Sequence, residues 1–346
     1  PIQGEPRKMQ PAFNSRRISV NGVTLNENVR GTAPDLYIED AVQETTVATA
    51  GISAEFGRFT GGVVNVITKS GGNVFSGSFR DTLNNDDWRT LTPFEETASG
   101  GQGGVDLRVD KVVPTYEYTF GGPVMKDRLW FFVAGRLQKQ QSGRNTAITS
   151  IPYNFIQDNK RFEYKGTYSF DSNNRFQAAY TKSYRTEENY TFNQNLAMDL
   201  ASLGTRELPE DLFTFNYTGV VTSRVFVEGR YSQRQLSFIG TGSRFTDIEK
   251  GTLLLDRSRG NTRYWSDTFC GVCTPYEQRD NQDLFAKGTY FLSTRGTGSH
   301  SMTFGYDNFN DQRQANNHQS GSDYRILGTS TILQGTNVFP QFLGNG

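Results

Sequence analysis

Phe162-Glu-Tyr-Lys-Gly-Thr-Tyr-Ser-Phe170 decides the fold. Phe162, Tyr164, Gly166, Tyr168 and Phe170 fall on one face of an extended chain. Glu163, Lys165, Thr167 and Ser169 fall on the other. A split with period two puts one face in an apolar medium and the other in a polar one. The pattern recurs on either side. After Asp171-Ser-Asn-Asn174, Phe176, Ala178, Tyr180 and Tyr184 oppose Gln177, Thr181, Ser183 and Arg185. Phe213, Phe215, Tyr217, Gly219 and Val221 then alternate with Thr214, Asn216 and Thr218. Past Thr222-Ser223, Val225, Val227, Gly229 and Tyr231 alternate with Glu228, Arg230, Ser232 and Arg234. Weaker copies run through 74–82, 115–123, 128–142, 282–293 and 300–312, and a tenth strand is expected near 322–332.

The links between these strands alternate in length. Short ones are expected at 123–128, 171–174, 222–223 and 294–299, and long ones at 83–114, 143–160, 191–210 and 244–281. Transmembrane β-barrels sort their connections this way, with short periplasmic turns and long extracellular loops. Composition agrees. Of 346 residues, 13% are aromatic (16 Tyr, 26 Phe), 36 are Gly, and only 35% are apolar. Disordered chains are poor in aromatics. A polar, glycine-rich and aromatic-rich chain instead suits a barrel with a lipid-facing stripe and a wet lumen. Lys+Arg and Asp+Glu both number 36, which gives no sign of a nucleic-acid partner. The longest apolar run, Leu129–Ala134, is far short of the roughly 20 residues of a membrane helix. A secreted or surface-attached β-rich adhesin, with no transport activity, gives the same local alternation and is the alternative.

Residues 42–73 differ, reading VQETTVATAGISAEFGRFTGGVVNVITKSGGN. The elements Ala54-Glu55-Phe-Gly57-Arg58, Gly61-Gly62-Val-Val-Asn65 and Thr68-Lys69-Ser-Gly71 resemble the C-terminal end of a TonB-dependent receptor plug. Upstream, Ile18-Ser-Val-Asn21-Gly22-Val resembles a plug strand. Downstream, Tyr116-Glu-Tyr-Thr-Phe-Gly121-Gly122-Pro123 and the aromatic run to Phe132 resemble the early barrel hairpin of the Oar-like subgroup. The resemblance implies a mainly β fold: part of an α/β plug domain over 1–72, and the N-terminal half of a transmembrane antiparallel barrel over 73–346. It implies uptake of a bulky ligand (an oligosaccharide, a peptide or a metal chelate) across the bacterial outer membrane. It also implies TonB as partner through a segment outside this chain, along with outer-membrane lipid and the remainder of the barrel. On this reading the chain is a piece of a longer protein, lacking the first half of the plug and, as in Oar-like proteins, a small carboxypeptidase-regulatory-like domain.

Physical reasons support the motif. Gly57, Gly61 and Gly62 permit close backbone approach where plug meets wall. Val63, Val64, Val66 and Ile67 suit a buried strand. Many siderophore-type receptors carry Arg-Gly-Pro ahead of this segment. Here Ala48-Thr-Ala-Gly51 stands in its place, which weakens a siderophore assignment. Glu55 and Arg58 are expected to pair with lumen charges such as Glu117 or Lys165.

Other candidate chemistry is thin. Cys270-Gly-Val-Cys273 falls in a long loop on the extracellular side. A loop-stiffening disulfide is expected there, with free thiols the alternative. Neither a βαβ setting for redox work nor further zinc ligands accompany it, the histidines being His300 and His318 alone. The acidic stretch Asn84-Asn-Asp-Asp87 with Glu95, Glu96, Asp106 and Asp110 lacks calcium-loop spacing and is expected to be a solvated loop. No nucleotide, zinc-protease or serine-hydrolase motif occurs. No enzyme, cofactor or metal is expected.

Overall fold

The computed structural model describes residues 14–26, 38–49, 59–91, 108–191, 197–240, 243–266, 277–315, 318–328, 330–334 and 337–341. Glu55, Gly57, Arg58, Cys270 and Cys273 lie outside them. A small sheet is built from β1 (Asn14–Val20), β2 (Val23–Thr24), β3 (Val42–Ala48) and β4 (Phe59–Thr68), in the order β2-β1-β4-β3. β1 and β4 pair parallel, and the outer pairs are antiparallel. Among the described residues this part carries a 3-10 turn at Glu39–Ala41 and no α-helix.

The wall begins with β5 (Ser76–Asn84), β6 (Val113–Met125), β7 (Leu129–Asn145) and β8 (Pro152–Ser169). It continues through β9 (Asn174–Tyr190), β10 (Gly204–Thr222) and β11 (Val225–Phe238). After short strands β12 (Leu253–Asp256) and β13 (Thr262–Tyr264), it is completed by β14 (Glu277–Thr294) and β15 (Gly298–Gln314). Every neighbouring pair in this nine-stranded sheet is antiparallel, and the order follows the chain without crossing. The remaining strands are β16 (Arg325–Gly328), β17 (Ser330–Gln334) and β18 (Asn337–Gln341).

The faces of the wall are inverted relative to a soluble protein. Polar side chains are buried on the inner face: Glu117, Glu163, Lys165, Thr167, Ser232 and Arg234. The outer face carries exposed rings, among them Tyr164 at 51%, Phe215 at 40% and Phe304 at 68%. Such rings stay exposed only if hydrocarbon covers them, as the alternation at 162–170 predicts. Outer rings also pack on one another across strands, as Phe176 does on Tyr217 at 4.9 Å and Tyr164 on Tyr180 at 6.5 Å. Phe215→Lys is therefore expected to cost about 2–4 kcal/mol, and Val221→Lys, at the strand end, no more than about 1. Urea titration of the protein in lipid vesicles checks this. Equal costs at both positions would place the band elsewhere.

Three expectations need correction. The stretch 143–160 is not a long loop, because β7 and β8 continue as a paired hairpin to Asn145↔Pro152. β10 likewise starts at Gly204, inside the expected 191–210 link. Nor is 322–332 a tenth wall strand. β16 pairs parallel with β12 in a three-stranded sheet, and among the described residues β17 pairs only with β18. Backbone beyond the lipid band is polar on both sides, so it loses the alternation that marks the spanning part.

At the long-loop end these segments share a core of Met198, Leu254, Tyr264 and Val338, flanked by a cluster of Tyr153, Ala197 and Leu203. Asp199 knits the loops, accepting from the backbone N–H of Ser202 at 3.0 Å and of Trp265 at 2.9 Å. Burial pushes its carboxyl above the usual range, against the opposing pull of the Ser202 hydroxyl. At the opposite end the 171–174 turn is locked by Asp171. Asn174 and the Asn173 N–H hold its carboxylate below the usual range. Of the acids singled out in 84–110, Glu95, Glu96 and Asp106 lie outside the described residues, and the others meet bases or amides: Asp86 with Arg89 at 2.8 Å, Asp87 with Arg108 at 3.5 Å, and Asp110 with Asn85 at 2.8 Å.

Candidate functional site: the seam between the small sheet and the wall

The inner face of the wall faces the small sheet across a seam made largely of charged and polar groups. Its best-defined part surrounds Thr68, the last residue of β4. Lys165, nearly fully buried on β8, donates to the Thr68 and Lys69 carbonyls at 3.0 Å each. Its ammonium also contacts the Thr68 hydroxyl and lies 3.3 Å from Glu163. The Thr68 hydroxyl donates to Glu163 at 2.5 Å. Behind it, Asn21 in the β1–β2 turn accepts from the Thr68 N–H at 3.1 Å and donates to its hydroxyl at 3.0 Å. One wall ion pair thus grips the end of β4 and, through Thr68, the turn between β1 and β2.

A second contact is acidic on the small sheet and basic on the wall. Arg80 on β5 lies 3.2 Å from Glu39 and 3.3 Å from Asp40, and it also pairs with Glu117. Arg136 on β7 lies 3.4 Å from Glu117 and 3.8 Å from Glu39. The acids of the 3-10 turn therefore share two wall arginines with a buried wall glutamate. Ile38 and Ala41 pack beside them on Phe132 and Ala134. Lys69 closes the corner, its ammonium donating to the Asp40 carbonyl at 2.8 Å.

The third contact is Arg234 of β11, fully buried, which donates to the Leu25 carbonyl and lies 3.7 Å from Glu210. Leu25 itself sits in an apolar cluster with Val20, Val23, Val66 and the wall residue Leu212. Beside it, Gly22 has φ +82°, and a β-carbon there would lie 2.8 Å from the Arg230 guanidinium.

Among the residues singled out from the sequence, Thr68 and Lys69 are in the seam. Asn65 braces it, accepting from Ser19 at 2.9 Å and from the Gly22 N–H at 3.3 Å. Gly62 lies within the small sheet, where a β-carbon would come 3.2 Å from the Ala48 carbonyl. Gly71 crosses to the wall, where a β-carbon would lie 2.2 Å from the Phe131 carbonyl oxygen and 3.1 Å from that of Gly122. Backbone on both sides cannot give way, so Gly71→Ala is expected to cost about 1–3 kcal/mol. Gly72→Ala meets nothing within 4 Å and is expected to be neutral. Thermal shifts of the heat-modifiable band compare the two, and an equally neutral Gly71→Ala would mean the crossing is not held.

Glu117 and Lys165 do face the small sheet. Their described partners are Arg80, Arg136, Glu163, Thr68 and Lys69. Glu39, Asp40 and Arg234 were not singled out. An acidic pair in a turn looks solvated, and only the fold brings Arg80 to it.

Between β9, β10 and the small sheet the seam opens into a cavity of about 300 Å³, lined by Asn21, Gln43, Thr68, Arg175, Gln177 and Asn216 among others. Among the described residues no group of His, Cys, Asp or Glu could hold a metal ion.

No family model matches the sequence. Over 195 residues it is 30% identical to the TonB-dependent transporter Oar of Myxococcus xanthus, a match covering 54% of this chain and 18% of that protein. The fold is similar to that of the outer membrane transporter YddB from Escherichia coli (TM-score 0.60, 14% identity, 87% of this chain and 41% of that one). It is equally similar to the siderophore receptor PirA from Acinetobacter baumannii (TM-score 0.60, 14% identity, 88% and 41%). The chain spans less than half the length of these solved relatives.

Proposed function

We propose that this chain, which has the fold of TonB-dependent outer-membrane receptors and a sequence related to the transporter Oar, forms the latched part of an energy-coupled outer-membrane transporter. Residues 1–72 are assigned to the plug and 73–346 to the barrel wall. Thr68, Lys69 and Gly71 form the joint between them. A bulky ligand would meet the long-loop end first. Force delivered by TonB through a segment outside this chain would then loosen the plug and open a path along the lumen.

The seam carries this reading. A permanent structural core is closed by apolar packing, which has no direction and no partner to exchange. Here, beside two small apolar clusters, the wall holds the plug with cations at three places: Lys165 on the Thr68 and Lys69 carbonyls, Arg80 with Arg136 on Glu39 and Asp40, and Arg234 on the Leu25 carbonyl. Directional contacts made in one geometry are lost together when that geometry is lost. The relatives are transporters and receptors, and no catalytic role is assigned to any residue.

A lock tests the proposal. Ala41 and Ala134 belong to one buried cluster across the seam. With Cys at both positions, the oxidised protein is expected to stop taking up ligand, and reductant should restore uptake. The ligand is found by screening saccharides, peptides and metal chelates on a strain lacking the gene, with and without a proton gradient. Full uptake by the oxidised, cross-linked form would rule out a moving plug.

A further inference from the structure

The cavity in the seam is built from two sides. The wall supplies four residues at its short-turn end, where Arg175 on β9 lies opposite Thr218 on β10, and Gln177 opposite Asn216. The small sheet supplies Asn21, Gln43, Ile67, Thr68 and Ser70. Every one of these side chains but Ile67 is polar, and Arg175 alone among them is charged. The volume, about 300 Å³, is at the lower end for a small-molecule site and suits a solute the size of a monosaccharide.

Half of this polar lining is committed and half is not. Asn21 donates to the Thr68 hydroxyl, and Gln177 donates to that of Ser70 at 3.3 Å. Among the described residues, the side chains of Arg175, Gln43, Asn216 and Thr218 have no hydrogen-bond partner. Nor does any carboxylate there pair with the Arg175 guanidinium, which stands exposed beside the 171–174 turn. The nearest acids along the strands are engaged elsewhere: Asp171 binds Asn173 and Asn174 within the turn, and Glu163 lies 3.3 Å from Lys165. Neither lines the cavity.

We propose that the cavity is a binding site, on the short-turn side of the plug, for a small polar solute carrying one carboxylate. A guanidinium presents parallel N–H groups that match the two oxygens of a carboxylate. Gln43, Asn216 and Thr218 offer amide and hydroxyl groups to the rest of the solute, as a hydroxyl-bearing acid such as a sugar acid requires. Such a solute touches wall and plug at once. It therefore binds the seated plug and not a displaced one, and its binding holds the plug shut. Solute gathering on the periplasmic side would in this way slow further opening. That consequence rests on the transporter reading, and the binding itself does not.

Isothermal titration calorimetry on the whole protein in detergent tests this, with glucuronate as probe and glucose as its uncharged counterpart. Glucuronate is expected to bind, and Arg175→Gln to weaken it about 10- to 100-fold, the worth of a charge-assisted pair. Arg128→Gln, at another short turn and outside the cavity, should bind like wild type. At ten times the dissociation constant, amide exchange at Val63 to Thr68 should slow about tenfold. No binding of glucuronate, equal binding of glucose, undiminished binding by Arg175→Gln, or binding that leaves β4 exchange unchanged overturns the proposal. The protein cross-linked between positions 41 and 134 has its plug seated and should bind equally well. If that form binds glucuronate and still takes up ligand, the moving plug fails while the site stands.

Discussion

Lys165→Met is expected to loosen the plug by about 3–5 kcal/mol, the cost of stripping one partner from a buried ion pair. Methionine fills much of the space of the lysine stem, so the loss is electrical rather than steric. Glu163 would be left buried with only the Thr68 hydroxyl, and the Thr68 and Lys69 carbonyls would lose their donor. Hydrogen exchange at the β4 amides, Val63 to Thr68, reports the effect. A loss of this size raises exchange there by about 100- to 4,000-fold, with no change in wall strands far from the seam. Adding Glu163→Gln removes the stranded charge and should recover most of the loss. If the single variant exchanges like wild type, Lys165 is not part of the latch.

Arg234→Leu is expected to cost a similar amount, about 3–5 kcal/mol, at the other end of the small sheet. Glu210 is buried and would lose its ion-pair partner at 3.7 Å, and the Leu25 carbonyl would lose the guanidinium. The damage should appear first at β2 and the following residues, reported by exchange at Val23 to Leu25, and then in the temperature at which the heat-modifiable band unfolds. The pair of variants also separates two ways of holding the plug. Independent contacts give additive losses in the double variant. Contacts that let go together give a loss well short of the sum.

The spanning strands were legible because lipid on one side and water on the other impose opposite demands on successive residues. That is why 162–170 and 213–221 declare their faces outright. The same rule fails where both sides are wet. Gly143, Arg144, Asn154 and Asp158 belong to a fully paired hairpin, yet they read as loop. β16 failed for another reason: it pairs parallel with β12, some 70 positions earlier in the chain, and nothing local encodes that. Within the seam, Glu117 and Lys165 were recognisable as charges on an inward face. The contacts around them were not, because topology alone brings Glu39 and Asp40 to Arg80, and Leu25 to Arg234. Arg234 looked like one more lumen cation, and only burial sets it apart.

The ionic make-up of the seam bears on how it yields. Attraction of a cation for a carboxylate or a carbonyl falls as the surrounding dielectric rises, so the same contact is several-fold stronger dry than wetted. A gap wide enough to admit a few waters would remove most of the grip within the first ångströms of travel. Such a joint is brittle rather than compliant: it ignores small tugs, lets go past a threshold, and snaps back into a single seat when the water leaves.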